Sequence, residues 1–453
     1  MTRKGIRFGT DGVRGVANTE LTGEMAYALG RAGAHILAQN NQGKGVNILV
    51  GKDTRISCDM LEAALVAGIC SVGATAHTLG VLPTPAVATM VRKHNMDAGI
   101  MISASHNEVN DNGIKFFNNQ GYKLDDAIEA KIEDLINAKK ESLPRPTGAN
   151  IGSIKQIKNG LEEYAQILLS TMDGISLKGL KIGIDCANGA THQVAGQVIT
   201  ALGAMLYQIH NKPNGININE NCGSTHMDSL VALVKEKSLD IGIAFDGDGD
   251  RCLVVDANGN ILDGDEIMSI CAHALKKEGK LAKNTIVATI MSNIGLKKMA
   301  DDNNIDIINT NVGDRYVLEA MLAGGYNFGG EQSGHFIFLD HSTTGDGTLT
   351  ALQLLKIMAT TNKPLHELNT LMTKYPQVLV NATVPNELKA TLLQNSTVAT
   401  AIQKVEQTIG STGRVLIRPS GTEPLVRVMI EGEDKAQLTK LANELKDLIE
   451  KEV

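Results

Sequence analysis

The chain is 453 residues long, with a formal charge of −7 and 43% hydrophobic against 21% charged residues, an ordinary globular balance in a length that exceeds one hydrophobic core. The acidic balance, the lack of tryptophan and an aromatic content of 3% exclude bulk nucleic-acid binding by charge or base stacking, and no uncharged run is long enough to span a bilayer. The six cysteines (Cys58, Cys70, Cys186, Cys222, Cys252, Cys271) are scattered without a CxxC pair and read as reduced thiols, and the first seven residues lack the apolar run of a secretory signal, so a cytoplasmic protein is expected.

In chain order, residues 46–50 read as a strand and residues 59–71 as an amphipathic helix. Thr84-Pro85 supplies a cap and first turn for a helix to about His94, and residues 98–102 return to a strand. Strands separated by helices predict βαβ units and a mainly parallel sheet. Residues 145–157 have the Pro, Gly and Ser content of a linker. Beyond them a strand is predicted at 180–185, a helix at 191–202 and a buried strand at 241–245; Asn258-Gly259 between apolar runs predicts a hairpin over 253–262. A third α/β segment continues to about 365. The tail changes order: a strand near 376–384, a helix at 396–409, paired strands around 414–431 and a charged helix from 434. The expected class is therefore α/β, with three consecutive α/β domains of mixed, mainly parallel sheets (1–150, 151–254, 255–368) and a C-terminal α+β domain (369–453).

Asp246-Gly247-Asp248-Gly249-Asp250-Arg251 follows a predicted strand, and extended backbone would turn alternate carboxylates to one side. Three converging acids need a cation, and an all-oxygen donor set matches hard Mg²⁺. An EF-hand does not fit, because Arg251 holds its glycine position and Ala257 its last ligand position. A solvated acidic turn is the bland alternative, disfavoured by the buried strand before it. An aspartyl phosphatase, in which one of these acids attacks phosphorus, stays open on these residues alone.

Ile102-Ser103-Ala104-Ser105-His106-Asn107 closes another predicted strand at a carboxyl edge, where α/β sheets gather ligands; either serine suits a nucleophile or a turn cap. Lys115, after the Asp111-Asn112-Gly113 turn, can return to a phosphate. No G-x-S-x-G elbow is present, and Gly51-Lys52-Asp53-Thr54-Arg55 is not a P-loop but is expected to support the edge of the site. Farther on, Arg418, Ser420, Gly421, Thr422 and Arg427 flank a turn between strands and offer guanidinium forks, hydroxyls and backbone N–H groups to one phosphate. The bland reading there is a hairpin whose arginines pair with surface acids.

Four segments together, Phe8-Gly9-Thr10-Asp11-Gly12-Val13-Arg14-Gly15, the Ser-Ala-Ser-His-Asn segment, the aspartate run and Arg418-Pro419-Ser420-Gly421-Thr422-Glu423-Pro424, occur in the order of the α-D-phosphohexomutases, which the chain resembles along essentially its whole length. Through Gly330-Glu331-Gln332-Ser333-Gly334-His335 and Asn311-Val312-Gly313-Asp314-Arg315-Tyr316 it most resembles the bacterial phosphoglucosamine mutases. Two departures are visible: Glu108 stands where proline usually follows His-Asn, leaving that loop without a fixed backbone angle, and Met227 stands where proline is common.

The resemblance implies that Ser105 is the phosphorylated serine and joins Asp246, Asp248 and Asp250 around one Mg²⁺, with the activating phosphate first supplied by a hexose bisphosphate. It implies that Glu331 and Ser333, with Gly313 and Asp314, read the sugar, and that Arg14, Arg251, Lys115 and His335 act at the reacting phosphate, Lys115 and His335 being the candidate bases. The implied reaction exchanges glucosamine 6-phosphate and glucosamine 1-phosphate through a bisphosphorylated sugar. Its partners would be a phosphosugar and a second copy of the chain, with no nucleic acid or membrane. The rivals are a phosphomannomutase/phosphoglucomutase, a Mg-dependent phosphatase and a non-catalytic phosphosugar-binding protein.

Overall fold

The computed structural model describes residues 6–9, 11–38, 45–138, 143–392, 395–420 and 424–453. They form two compact units, Met1–Ile290 with Asp306–Asn369, and Met291–Ile305 with Thr370–Val453.

The first unit holds three sheets. The first is built from β1 (Val13–Val16), β2 (Asn47–Lys52), β3 (Thr75–Val81), β4 (Ala98–Ile102), β5 (Asp111–Asn118) and β6 (Ile154–Gln156), in the order β1-β5-β4-β2-β3-β6. Parallel pairing runs through β4, β2, β3 and β6, while β5 and β1 add antiparallel on one side. All five residues of β4 are buried, the mark of a central strand covered on both faces. The helix Thr84–Lys93 starts at the predicted Thr84-Pro85, where a proline lacking an N–H costs nothing. The segment read as a linker nevertheless contains β6, which pairs with β3; its three residues are exposed, and a single apolar residue, Ile154, makes no alternating pattern.

The second sheet contains β7 (Lys181–Asp185), β8 (Met205–Ile209), β9 (Ile241–Phe245), β10 (Cys252–Asp256) and β11 (Ile261–Leu262), ordered β11-β10-β9-β7-β8. β10 and β11 make the hairpin expected from Asn258-Gly259. The helix predicted at 191–202 is shorter, Val194–Ala201, because Ala187 to Gln193 form a loop that serves the neighbouring site. The third sheet, β13-β12-β14-β15, uses β12 (Thr285–Thr289), β13 (Asp306–Thr310), β14 (Phe328–Gly330) and β15 (Phe336–Phe338).

The second unit is an antiparallel sheet, β16-β18-β17, of β16 (Gln377–Thr383), β17 (Arg414–Pro419) and β18 (Leu425–Glu431). Its core joins Val426, Val428 and Ile430 to Val398 and Val405 of the helix Ser396–Ile409 and to Leu438, Leu445 and Ile449 of the helix Lys435–Lys451. The chain is thus α/β with mixed sheets and a C-terminal α+β unit. Among the described residues no helix is long and apolar enough to cross a membrane.

Candidate active site

The two competing serines separate in space. Ser103 donates its hydroxyl to Asp53 Oδ2 at 2.6 Å and accepts the Ser105 amide at 2.9 Å, so it caps the turn. Ser105, 1% exposed with a φ of 55°, donates its own hydroxyl to Asp246 Oδ2 at 2.6 Å. A left-handed serine is uncommon, and here it is held from several sides. The fully buried Arg55 guanidinium pairs with Asp53 at 3.0 Å and donates to the carbonyls of Ser105 at 3.0 Å, Asn107 at 2.8 Å and Glu108. Asn219 Nδ2 donates to the Ser105 and Asn107 carbonyls, each at 2.9 Å. Arg55 and Asn219 therefore supply the stiffness that a proline at position 108 would otherwise give. The segment expected to support the edge of the site does so through Arg55; Asn219 carried no signal in the sequence.

The aspartate run reaches its geometry by a route other than the extended one expected. After β9 the backbone turns, with Gly249 N–H donating to the Asp246 carbonyl at 3.2 Å and Gly249 at a φ of 71°. Gly247 is equally required: a Cβ there would stand 2.5 Å from the Ser105 carbonyl, so the two loops touch only because it has none. Asp246, Asp248 and Asp250 each bring a carboxylate oxygen within 4.8 Å of the others, all buried.

These residues fit a hard cation. Asp248 Oδ1 and Asp250 Oδ1 are buried without a hydrogen-bond partner, a costly arrangement that a divalent ion would relieve. Burial and the charges of Asp250 and Asp248 push the Asp246 carboxyl well above its ordinary range. Burial and Asp248 likewise raise Asp250. Burial would raise Asp248 too, but the Lys115 ammonium at 2.8 Å outweighs it, and Thr84 Oγ1 donates at 2.5 Å.

Lys115 is 1% exposed, and although burial opposes its charge, Asp11 at 2.9 Å and Asp248 hold it firmly protonated. That environment suits a charge donor and not a base. Asp11 also pairs with Arg14 and with Lys123, which in turn reaches Asp314 Oδ2 at 2.5 Å. The sequence gives no sign of the Asp11–Lys123 pair: the two lie over a hundred positions apart, and nothing local announces their pairing.

A cavity of about 640 Å³ opens beside this cluster, lined by Arg14, Ser105, Asp250, Arg251, Gly313, Asp314, Glu331, Ser333 and His335. Most of the residues expected at the reacting phosphate and the sugar thus line one cavity, and Lys115 reaches its lining residues Asp11, at 2.9 Å, and Asp250, at 3.9 Å. Glu331 accepts the Gly313 amide at 3.0 Å, tying the two expected sugar segments together. His335 is buried, with Nε2 at 3.6 Å from Asp314 and 4.0 Å from Asp250, and neither ring nitrogen has a hydrogen-bond partner. His106, which nothing in the sequence distinguishes beyond its place after Ser105, brings Nδ1 to 3.5 Å from Ser105 Oγ; burial, then Arg251 and Arg14, push its imidazole down to about 4, so it is neutral near pH 7.

In the second unit, Arg418 and Arg427 are direct cross-strand partners on β17 and β18, and Ser420 begins the turn between these strands. Lys389, absent from the sequence reading, donates to the Ser420 carbonyl at 2.7 Å. Gly421 and Thr422 lie outside the described residues.

Family comparison matches this arrangement along the chain: phosphoglucomutase/phosphomannomutase alpha/beta/alpha domain I over residues 5–143, domain II over 162–259, domain III over 263–375 and the C-terminal domain over 379–448. The chain belongs to the phosphoglucomutase/phosphomannomutase family. Among members of that family, it is 54% identical over 446 residues to the phosphoglucosamine mutase of Clostridium novyi (strain NT), covering 98% of this chain and 99% of that one. It is 56% identical over 446 residues to that of Ruminiclostridium cellulolyticum, again covering 98% and 99%. The fold matches a phosphoglucomutase/phosphomannomutase family protein from Burkholderia thailandensis, with a TM-score of 0.78 at 24% identity over 97% of this chain and 96% of that one. It also matches Aspergillus fumigatus N-acetylphosphoglucosamine mutase, solved with GlcNAc-6P and magnesium, with a TM-score of 0.72 at 18% identity over 99% and 96%.

Proposed function

We propose that the chain is a phosphoglucosamine mutase, an isomerase that exchanges glucosamine 6-phosphate and glucosamine 1-phosphate through phospho-Ser105 and a bisphosphorylated sugar. The observation that carries the reading is the buried Ser105 hydroxyl at 2.6 Å from Asp246 at the wall of a sugar-sized cavity. Preference for the amino sugar is supported by the full-length relatives at 54% and 56% identity. An Asp nucleophile is disfavoured because Asp246 and Asp248 are committed to Ser105 and Lys115.

In this cycle the sugar hydroxyl attacks the phosphorus on Ser105 in line, the P–O bond to Ser105 breaks, and the sugar leaves its seat with two phosphates. It turns, Ser105 Oγ takes the other phosphoryl group, and the isomer departs. Asp246, Asp248 and Asp250, with an oxygen of phospho-Ser105, would hold Mg²⁺, which when bound neutralises charge on the transferring group. Lys115, Arg251 and Arg14 add fixed positive charge around the same oxygens. His335, buried beside the cavity without a hydrogen-bond partner, takes the proton of the attacking hydroxyl. Glu331, Ser333, Gly313 and Asp314 orient the ring.

Arg418 and Arg427 stand directly opposite across an antiparallel pair, where like charges repel, and a phosphate between such guanidinium groups would offset that cost. With Ser420, Gly421 and Thr422 they form the clamp for the non-reacting phosphate in this reading. A hexose bisphosphate as the first phosphoryl donor, a homodimer and a cytoplasmic location complete the proposal, all three resting on the family resemblance. The test compares kcat/KM for glucosamine, glucose and mannose 6-phosphates with Mg²⁺ and an activating hexose bisphosphate. The amino sugar is expected to lead by at least about tenfold, roughly 1.4 kcal/mol; a lead for glucose or mannose would make the chain a phosphoglucomutase or phosphomannomutase.

A further inference from the structure

A second group of metal-ligating side chains lies apart from the aspartate run. Asp185 ends β7, His210 follows β8, and Cys222 stands just before the short turn Gly223–Thr225; one ligand atom from each lies within 4.8 Å of the other two. His210 Nδ1 is 2.9 Å from Asp185 Oδ2. Asp185 and Cys222 are fully buried, while the His210 side chain is 29% exposed and gives the group a way in from solvent.

The surroundings are those of a built site. Asp185 Oδ1 accepts the Ala187 amide at 2.8 Å, which fixes the carboxylate and leaves Oδ2 for the group. The Asn219 backbone amide donates to the Ala187 carbonyl at 2.9 Å, which ties the segment before Cys222 to the loop that follows Asp185. Tetrahedral zinc spaces its ligand atoms by about 3.3–3.8 Å, so the N···O pair must open by only a few tenths of an ångström. One carboxylate, one imidazole and one thiolate form a mixed set that suits a borderline ion and not Mg²⁺.

We propose that Asp185, His210 and Cys222 bind a zinc-class divalent ion at a site separate from the catalytic carboxylates. A ligating cysteine gives up its proton to solvent, an exchange that a thiophilic ion such as Zn²⁺ drives and hard Mg²⁺ does not. The site sits against the catalytic loops. Ala190 N–H, from the loop after Asp185, donates to the Gly247 carbonyl at 2.8 Å, and Asn219, three residues before Cys222, holds the Ser105 carbonyl at 2.9 Å. Occupancy would tie together the three segments that back the aspartate and serine loops.

Co²⁺ titration of the chelator-stripped full-length D246N protein tests this, because the oxygen-only catalytic site cannot give a sulfur-to-cobalt charge-transfer band. The expected result is a near-ultraviolet band saturating at one equivalent, bleached by Zn²⁺ and not by Mg²⁺. Adding C222S should abolish it, and adding H210Q should weaken binding by about tenfold or more. No band, or a band that survives C222S undiminished, overturns the proposal. Should C222S fail to fold, as judged by circular dichroism, an unchanged Co²⁺ affinity in the H210Q background overturns it equally. Neither outcome depends on mutase activity.

Discussion

At the scale of single residues, the site depends on one buried guanidinium that touches no substrate. Arg55 spends its donors on Asp53 and on the carbonyls of Ser105, Asn107 and Glu108, and so holds the serine in its left-handed conformation. Arg55→Ala leaves the buried Asp53 without its cationic partner, and is expected to cost about 3–5 kcal/mol in urea unfolding. It should lower kcat more than it raises KM, since the loop it releases carries the nucleophile; an unchanged kcat in folded protein would contradict that role. The sequence offered both serines and could not choose between them without the family pattern, because the choice is made by distant groups. Asp53 takes Ser103 and Asp246 takes Ser105, across 50 and 141 positions respectively. The same separation hid Asp11 with Lys123, and Asn219 with the serine loop.

At the scale of elements, local signals were read well where chemistry is local. Thr84-Pro85 began its helix, Asn258-Gly259 made its hairpin, and the helix Ser396–Ile409 matched its predicted span. They failed where tertiary contacts override them, as in the exposed strand β6 and in the turn that replaced extended backbone in the aspartate run. The helix Gly347–Thr361 shows a further element-level consequence. Its cap, Asp346, accepts the Leu349 amide at 2.9 Å and the Tyr164 hydroxyl at 2.7 Å, yet burial pushes its carboxyl up to about 6. A raised folded pKa means that this group's contribution to stability is full below its unfolded value of about 3.9 and is lost as the pH climbs toward 6. Asp346→Asn keeps a good cap and does not titrate. Its stability relative to the natural protein should therefore rise by about 2–3 kcal/mol from pH 4 to pH 7, followed by urea unfolding in circular dichroism. A flat difference would contradict the burial argument.

At the scale of the whole molecule, Ser105, Asp250 and His335, from three different sheets or their loops, line one cavity in the first unit, and Asp246, Asp248 and Lys115 join the same cluster through Ser105 and Asp250. Each acid is paid for by a cation or awaits one. Chelation of divalent ions should accordingly abolish turnover while leaving the circular dichroism spectrum intact, and Mg²⁺ should restore it; activity that persists in chelator would remove the aspartate loop from the chemistry. In the second unit, Arg418→Ala is expected to raise KM by at least about tenfold, because binding energy from a non-reacting phosphate positions the reacting end. An unchanged KM would return that hairpin to the bland reading of arginines paired with surface acids.

The central claim is that Ser105 carries the phosphoryl group. Rapid-quench mass spectrometry of the protein loaded with a hexose bisphosphate tests it most directly, by locating the phosphate and timing its transfer. The account predicts one phosphate on Ser105, discharged to glucosamine 6-phosphate at least as fast as steady-state turnover, with none found and turnover reduced by about a thousandfold or more in Ser105→Ala. A phosphate on Asp246, Asp248 or Asp250, or undiminished turnover in the Ser105→Ala protein, would contradict it.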